Sequence, residues 1–260
     1  MRFDDLDKTM RSYETRYDAC ADADAFLIAR LDGRGFTRLT KELEPFEKPF
    51  DVRFRDVMEA TTRHLMTCGL EIVYGYAQSD EISLLFHPDE QSFGRKTRKL
   101  NSVLAGEASS AFSLALGRHA AFDCRLVELP DRQRVVDYYR WRAEDARWNS
   151  LSAYGYWHFR GIGDSPKAAD RRLVGLSPSD KATLLRKEGV DVDGMPKWQS
   201  RGYAVVWERY LKEGHNPVTG ETTMTERRRL TVDFELPAGS TLDAYLLRFL
   251  DAGGASGSRD

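Results

Sequence analysis

Two acidic stations far apart in the chain carry the residue types that metal-assisted phosphoryl chemistry requires. The first lies in Phe26-Leu-Ile-Ala-Arg-Leu-Asp-Gly-Arg-Gly-Phe36, where an apolar run ends in Asp32-Gly33. Asp-Gly commonly makes a tight turn, but at the end of a buried strand it also offers a carboxylate and an accessible backbone carbonyl at a sheet edge. The second is Asp80-Glu81, within Ile72-Val-Tyr-Gly-Tyr-Ala-Gln-Ser-Asp-Glu-Ile-Ser-Leu-Leu-Phe86. Adjacent carboxylates repel one another and are poor strand formers, so either a solvated turn or an external cation must explain them. Two aspartates on neighbouring strands suit Mg²⁺, which takes few carboxylates and completes its shell with water and substrate phosphates. A pair of such ions is a recurring solution for phosphoryl and nucleotidyl transfer.

Other charged residues admit two readings each. Arg95, Lys96, Arg98 and Lys99 crowd the start of a helical segment, where the helix dipole disfavours cations, so they read either as a phosphate clamp or as a solvated basic face. Arg140, Arg142 and Arg147 are interleaved with Trp141 and Trp148, which suits stacking on bases and holding phosphates, or simple half-buried packing. The histidines at 64, 87, 119, 158 and 215 show no paired metal spacing. Gly33-Arg-Gly35 is too short for a Walker or Rossmann phosphate loop. Ser79 lies beside the acids without a base to activate it, so it reads as a turn or phosphate hydrogen-bond donor.

The elements that must position these groups follow from periodicity. Leu70, Ile72, Tyr74 and Tyr76 alternate on one strand and Ile82, Leu84 and Phe86 on a second, with Ala77-Gln78-Ser79 as the turn and the two acids opening the second strand. Residues 3–20 predict an amphipathic packing helix with Leu6, Met10, Tyr13 and Tyr17 on one face. Residues 36–50 read as an exposed loop. Asp51 offers an N-cap to a helix bearing Phe54, Val57, Met58, Thr61 and Leu65, closed by Gly69. A helix from about Phe93 follows, then a strand from Phe122 to Leu129, and a helix from Asp131 whose buried stripe is Val135, Val136, Tyr139, Ala143, Ala146 and Ser150, leaving Arg140, Arg142 and Arg147 on more exposed faces. Ser177-Pro178 starts a further helix that Gly189 ends. Tyr203–Glu208 and Arg229–Glu235 read as strands joined by a Gly- and Pro-containing loop, and Thr241–Leu250 as a short helix.

Composition bounds the function class. The 260 residues are 41% hydrophobic, enough for a sizeable core, and the net charge is only −2, so any RNA-binding surface must be local. Cys20, Cys68 and Cys124 are odd in number and widely spaced, as expected of reduced thiols. The charged N-terminus is unlike a signal peptide and no apolar run reaches the roughly 20 residues of a membrane helix, so the expectation is a cytoplasmic protein without membrane contact.

Asp32-Gly33-Arg34, Phe46-Glu-Lys-Pro-Phe-Asp51, Gln78-Ser-Asp-Glu81, Phe122-Asp-Cys-Arg125, Tyr139-Arg-Trp-Arg142 through Asn149, and Pro196-Lys-Trp-Gln-Ser-Arg-Gly202 occur in the order found in the tRNA-histidine guanylyltransferase family, which the chain resembles over roughly residues 1–210, looking most like its bacterial or phage-type members. The resemblance implies an α/β (α+β) fold: a polymerase-palm-like, ferredoxin-like antiparallel sheet with helices packed on it. A catalytic domain would span 1–210, a C-terminal strand and helix extension 211–251, and a disordered tail 252–260. The implied activity is addition of nucleotides to the 5′ end of tRNA in the 3′-to-5′ direction, after activation of the 5′ phosphate with ATP or GTP, with two Mg²⁺ ions.

The resemblance also assigns residues. Asp32 and Asp80 with the Gly33 carbonyl would hold metal, and Glu81 would support the catalytic pair. Arg34, Gly35, Phe36, Lys48, Asp51, Ser79, Lys96 and Lys99 would bind nucleotide, and Arg125, Arg142, Arg147 and Asn149 would bind tRNA. A homo-oligomer, a tetramer, is implied as well. One departure stands out: eukaryotic members carry His-Ile-Asn-Asn-Leu-Tyr-Asn where this chain reads Arg147-Trp-Asn-Ser-Leu-Ser-Ala153, keeping the first Asn and the Leu. That loss favours templated repair of truncated tRNA over untemplated guanosine addition. A palm-type nucleotide cyclase shares the two-aspartate geometry, and a non-catalytic RNA-recognition module shares the fold class without a reason for acids on the sheet.

Overall fold

Short local signals set where each helix begins and ends. Asp51 caps α3 (Val52–Leu65) by accepting from the Arg53 amide at 2.6 Å, and Asp131 caps α5 (Arg132–Gly161) by accepting from Arg134 at 2.8 Å. Gly117, left-handed at φ 73°, closes α4 (Thr97–Leu116). The computed structural model describes residues 2–215 and 222–252. Within them β1 (Phe26–Gly33), β2 (Ile72–Gln78), β3 (Glu81–Phe86), β4 (Phe122–Leu129), β5 (Tyr203–His215) and β6 (Thr222–Asp233) form one antiparallel sheet in the order β4-β1-β3-β2-β5-β6. The run β1-α3-β2-β3-α4-β4 is the split βαβ arrangement of ferredoxin-like and palm domains, so the α+β fold class is as expected.

The sheet is covered on both faces, which is why β2 and β3 are buried along nearly their whole length. On one side Met58, Leu65, Leu100, Leu104 and Phe112 of α3 and α4 pack on Leu27, Ala29, Leu31, Ile82 and Leu84. On the other, Val135, Val136 and Tyr139 of α5 and Leu242, Leu246 and Leu250 of α9 (Ser240–Ala252) pack on Ile28, Tyr74, Tyr76 and Leu85. At 1.5 Å per residue α5 is about 45 Å long, so its second half overhangs the sheet. There α6 (Pro166–Leu173) and α7 (Pro178–Lys187) pack against it, and α8 (Lys197–Ser200) is joined to it by the hydrogen bond from the Tyr154 hydroxyl to Gln199. The face of α5 buried on the sheet is the one its periodicity indicated.

Several expectations needed correction. The first helix, α1, spans Phe3–Glu14 and buries none of its residues, so it is not a packing helix within this chain. The 36–50 segment is not a simple exposed loop: α2 (Phe36–Arg38) and a π-helical turn (Leu39–Leu43) occupy its start, with Phe36, Leu39 and Phe46 buried. Ala77 and Gln78 belong to β2, and the hairpin turn is Ser79-Asp80. β5 and β6 run well past the expected ends because backbone pairing and the cross-strand ion pairs Arg229–Glu208 (2.8 Å) and Arg209–Glu226 (3.4 Å) sustain a polar ribbon that carries no apolar alternation. Residue 210 therefore lies inside β5. Ala252 ends α9, and the rest of the expected disordered tail, 253–260, lies outside the described residues, as do residues 216–221 of the expected joining loop. Among the described residues no helix is long and apolar enough to cross a membrane.

Candidate active site

The acids meet at one end of the central strands. Asp32 is the next-to-last residue of β1, and its register partners are Glu81 on β3 and Asp123 on β4. Asp80 sits in the two-residue turn between β2 and β3, and the Gly33 amide donates to the Asp80 carbonyl at 3.1 Å, tying that turn to the end of β1. Ser79 takes the left-handed φ of 51° that the tight turn needs, and its hydroxyl donates to the Asp80 carboxylate at 3.1 Å. A side chain at position 33 would collide with the Phe36 ring, where an added Cβ would lie 2.5 Å from Cγ, so glycine is required. Phe36 in turn packs on Phe54, Phe112 and Phe122 and fixes the loop after β1.

Electrostatics distinguish the three acids. Burial pushes the Asp80 carboxyl up to about 6, with Asp32 adding repulsion, and among the described residues no arginine or lysine forms an ion pair with it. Asp32 is raised by burial and then by Glu81, while Arg30, 3.7 Å away, opposes the shift. Glu81 is committed elsewhere: one oxygen is bound by Arg30 and the other by Arg142 of α5 at 2.9 Å. This leaves Asp32 and Asp80 as under-compensated carboxylates next to the Gly33 carbonyl. Such a lean oxygen set fits Mg²⁺, which completes its shell with water and phosphate oxygens; among the described residues there is no cluster of three or more His, Cys, Asp or Glu side chains that could hold a metal.

A cavity of about 230 Å³ opens beside the hairpin turn. Lys41, Lys48, Asp51, Gln78, Ser79 and Asn149 contribute its polar wall, and Phe50, Trp157 and Trp198 its aromatic one. Lys48 lies over the Trp157 ring and donates to the Thr40 carbonyl, and burial with the neighbouring Lys41 lowers its pKa. Asp51 is held at about 2 by hydrogen bonds from Arg53, chiefly its guanidinium, and from the Glu47 amide. The cavity thus combines cations, hydroxyl and amide donors, and flat apolar faces, the groups that phosphates and a planar base require.

Residues 7–130 match the family model described as tRNAHis guanylyltransferase. The tRNA(His) guanylyltransferase of Debaryomyces hansenii is 30% identical over 227 residues, spanning 82% of this chain and 85% of that protein. The chain belongs to the tRNAHis guanylyltransferase family. The Neurospora crassa tRNA(His) guanylyltransferase is 32% identical over 202 residues, covering 71% of this chain and 67% of its own length. A bacterial tRNA(His) guanylyltransferase (Thg1)-like protein in complex with GTP superposes with a TM-score of 0.74 at 26% identity, over 95% of this chain and 99% of that one. Its complex with ATP gives 0.73.

Set on the guanylyltransferase-family fold, the residues singled out by sequence divide into three groups. Asp32, Gly33 and Asp80 meet where β1 ends at the hairpin turn, and Lys48, Asp51, Ser79 and Asn149 line the cavity, which touches that turn at Gln78 and Ser79 without the acids themselves lining it. Arg34 and Gly35 lie in the loop leaving β1, with the Arg34 amide bound to the Ala121 carbonyl; Arg125 is exposed on the edge strand β4, and Arg147 is exposed on α5. The third group departs from expectation. Lys96 and Lys99 start α4 at the opposite end of the sheet, where Lys96 pairs with Asp18 at 3.4 Å and bridges to Cys20. The hairpin precedes them in sequence, but β3 carries the chain away first. The Phe36 side chain is in the core, so only its backbone can face a ligand. Arg142 is not on an exposed face of α5: it is 4% exposed, bound to Glu81 and stacked on Trp141. Arg30, a lone charge inside an apolar strand, and the cavity residues Lys41 and Trp157 join the site without a motif to announce them, while Gln78 and Trp198 lie in the quoted motifs without an assigned site role.

Proposed function

We propose that the protein extends the 5′ end of tRNA in the 3′-to-5′ direction, using ATP or GTP to activate the 5′ phosphate and then a nucleoside triphosphate, GTP among them, as the added unit. The observation that carries this reading is the placement of Asp32 and Asp80 beside a cavity lined by Lys41, Lys48, Ser79 and stacking aromatics, in a chain of the tRNAHis guanylyltransferase family. Asp32, Asp80 and the Gly33 carbonyl would hold two Mg²⁺ ions. When bound, these would lower the pKa of the attacking hydroxyl and neutralise phosphate charge.

The chain's own residues do the rest. Lys41, Lys48 and Ser79 hold the triphosphate, Phe50, Trp157 and Trp198 offer faces on which a base stacks, and Gln78 and Asn149 supply polar contacts at the cavity wall. The 3′-hydroxyl of the bound nucleotide attacks the activated 5′ phosphorus, the activating group leaves, and the pyrophosphate of the new 5′ end is removed last. Positioning is the main contribution, because the hydroxyl and phosphorus react only when held in line. Arg125 and Arg147 are the exposed cations that meet the RNA backbone. The reading includes residues 1–210 as the catalytic unit with 211–251 as an extension, a homo-oligomer, tetrameric as family resemblance suggests, and a cytoplasmic setting.

The test is incubation with Mg²⁺ or Mn²⁺, each labelled nucleoside triphosphate, and intact or 5′-truncated tRNA. A 5′-extended RNA is expected. A cyclic nucleotide, or no product with any tRNA, would overturn the reading.

A further inference from the structure

The two tryptophans interleaved with arginine on α5 are open to solvent: Trp141 is 53% exposed and Trp148 42%. Seven residues apart, they share one stripe of the helix, about 10 Å from each other along its axis. Each has a buried cation laid on its ring. The Arg142 guanidinium lies 3.7 Å from the centroid of Trp141, and the Lys181 ammonium of α7 lies 4.5 Å from that of Trp148. Both cations are 4% exposed. Arg142 is fixed by Glu81 and Asp145, and Lys181 by donating to the Ser152 hydroxyl at 2.8 Å; among the described residues Lys181 makes no ion pair. A lone exposed tryptophan needs no explanation. Two on one stripe, each backed by a buried positive charge, form platforms on which a base can lie while the charge beneath favours its phosphate.

Their position selects the ligand. Tyr139 of α5 packs on Tyr74 and Tyr76 of β2, whereas Tyr138 is hydrogen-bonded to Ser83, the register partner of Arg30. Trp141 packs edge-on against Tyr138 and so stands on the β1 side of the helix. Through Arg142 and Glu81 it is linked to Asp32, the register partner of Glu81. Neither tryptophan lines the nucleotide cavity, which takes Asn149, Ala153 and Trp157 from the same helix. The stripe is therefore free for the other substrate, next to the acids on which both must meet.

We propose that Trp141 and Trp148 stack unpaired bases of the RNA, those of the single-stranded 3′ tail that lies across from the reacting 5′ end. The assignment rests on the reading of the protein as a tRNA 5′-end polymerase. Bases inside a duplex have both faces covered by their neighbours, whereas the bases of a single-stranded end can be splayed onto successive aromatic rings.

Binding of the full chain to two transcripts tests it: a tRNA with its single-stranded 3′ tail and the same tRNA ending flush, both without nucleotide so that catalysis plays no part. Wild type is expected to bind the tailed RNA at least tenfold more tightly, as stacking of one or two bases provides. Trp141→Leu with Trp148→Leu should bind both RNAs as wild type binds the flush one. Trp141→Phe with Trp148→Phe should keep most of the difference, with Tm and the KM for nucleoside triphosphate unchanged. Replacing the tail bases by abasic residues should cost wild type the same tenfold, a result that needs no variant to fold. Equal binding of tailed and flush RNA by wild type, an undiminished difference in the leucine variant, or tail dependence that survives abasic substitution would each overturn the proposal. So would a leucine variant in which only the sedimentation of the free chain changes, since protein would then cover the stripe. The reading of the activity fails separately, by the absence of any 5′-extended product.

Discussion

Arg142 of α5 holds the Glu81 carboxylate at 2.9 Å, across the layer that separates helix from sheet, while Arg30 of β1 holds the other oxygen. Glu81 is thereby tied to two guanidiniums, and Arg30 stands 3.7 Å from Asp32. The acid that follows Asp80 in sequence thus organises the cations behind the site.

Because Arg142 is almost fully buried, Arg142→Met leaves Glu81 under-compensated and should cost about 3 kcal/mol of stability. Adding Glu81→Gln to Arg142→Met should recover part of that loss. Urea midpoints of the two variants decide it; a double variant no more stable than Arg142→Met would mean that packing on Trp141, not the ion pair, is what Arg142 contributes.

Asp80→Asn and Asp32→Asn are each expected to lower nucleotide addition by several orders of magnitude without unfolding the chain. Asp80 sits above its ordinary value, so the folded state holds its proton more tightly than the unfolded state does between about pH 4 and 6. In the presence of EDTA the stability contributed by this group therefore falls as pH rises through that window and stays lower above it. Removing the charge should raise metal-free stability at pH 7 by about 1–3 kcal/mol. A lower Tm for Asp80→Asn in EDTA would contradict this account of the carboxylate.

Asp51 shows the opposite sign. Its carboxyl is held at about 2 by Arg53 and the Glu47 amide, so its stabilising effect is complete above the ordinary aspartate value near 4 and disappears as pH falls toward 2. Asp51→Asn should flatten the stability profile between about pH 4 and 2 and cost about 1 kcal/mol at pH 7, allowing for the solvent around Arg53. Chemical denaturation across that range provides the check.

Lys48→Ala should raise KM for the nucleoside triphosphate roughly tenfold, one charge-assisted contact being worth about 1.4 kcal/mol or more. Lys96→Ala and Lys99→Ala act about 25 Å away along the strands and should change KM much less. An equal effect of all three would mean that Lys96 and Lys99 serve the cavity of another copy.

The sequence 147–153 lacks most of the polar residues of the eukaryotic segment, and of these positions Asn149 and Ala153 line the cavity. Base pairing with the opposite strand is expected to supply selectivity, in which case kcat/KM is higher for 5′-truncated tRNA with a templating base than for guanosine addition to intact histidine tRNA. Faster untemplated addition, insensitive to the opposing base, would reverse the order.

What the sequence determined by itself was whatever local chemistry dictates. Alternating Tyr74 and Tyr76 against Ile82, Leu84 and Phe86 made the hairpin, and Asp51, Asp131 and Ser177 each announced a helix because an N-cap acts within one turn. Asp32 and Asp80 could be paired by motif order. Other placements depended on the direction in which elements travel and on what lies opposite them. Lys96 and Lys99 follow the hairpin closely in sequence, yet β3 delivers them to the far end of the sheet. Arg142 looked solvent-facing in a helix rich in charge, and only the sheet beneath α5 shows that Glu81 waits there to neutralise it. The stripe on α1 read as core because periodicity reports an apolar face; it does not report whether the covering surface belongs to the same chain.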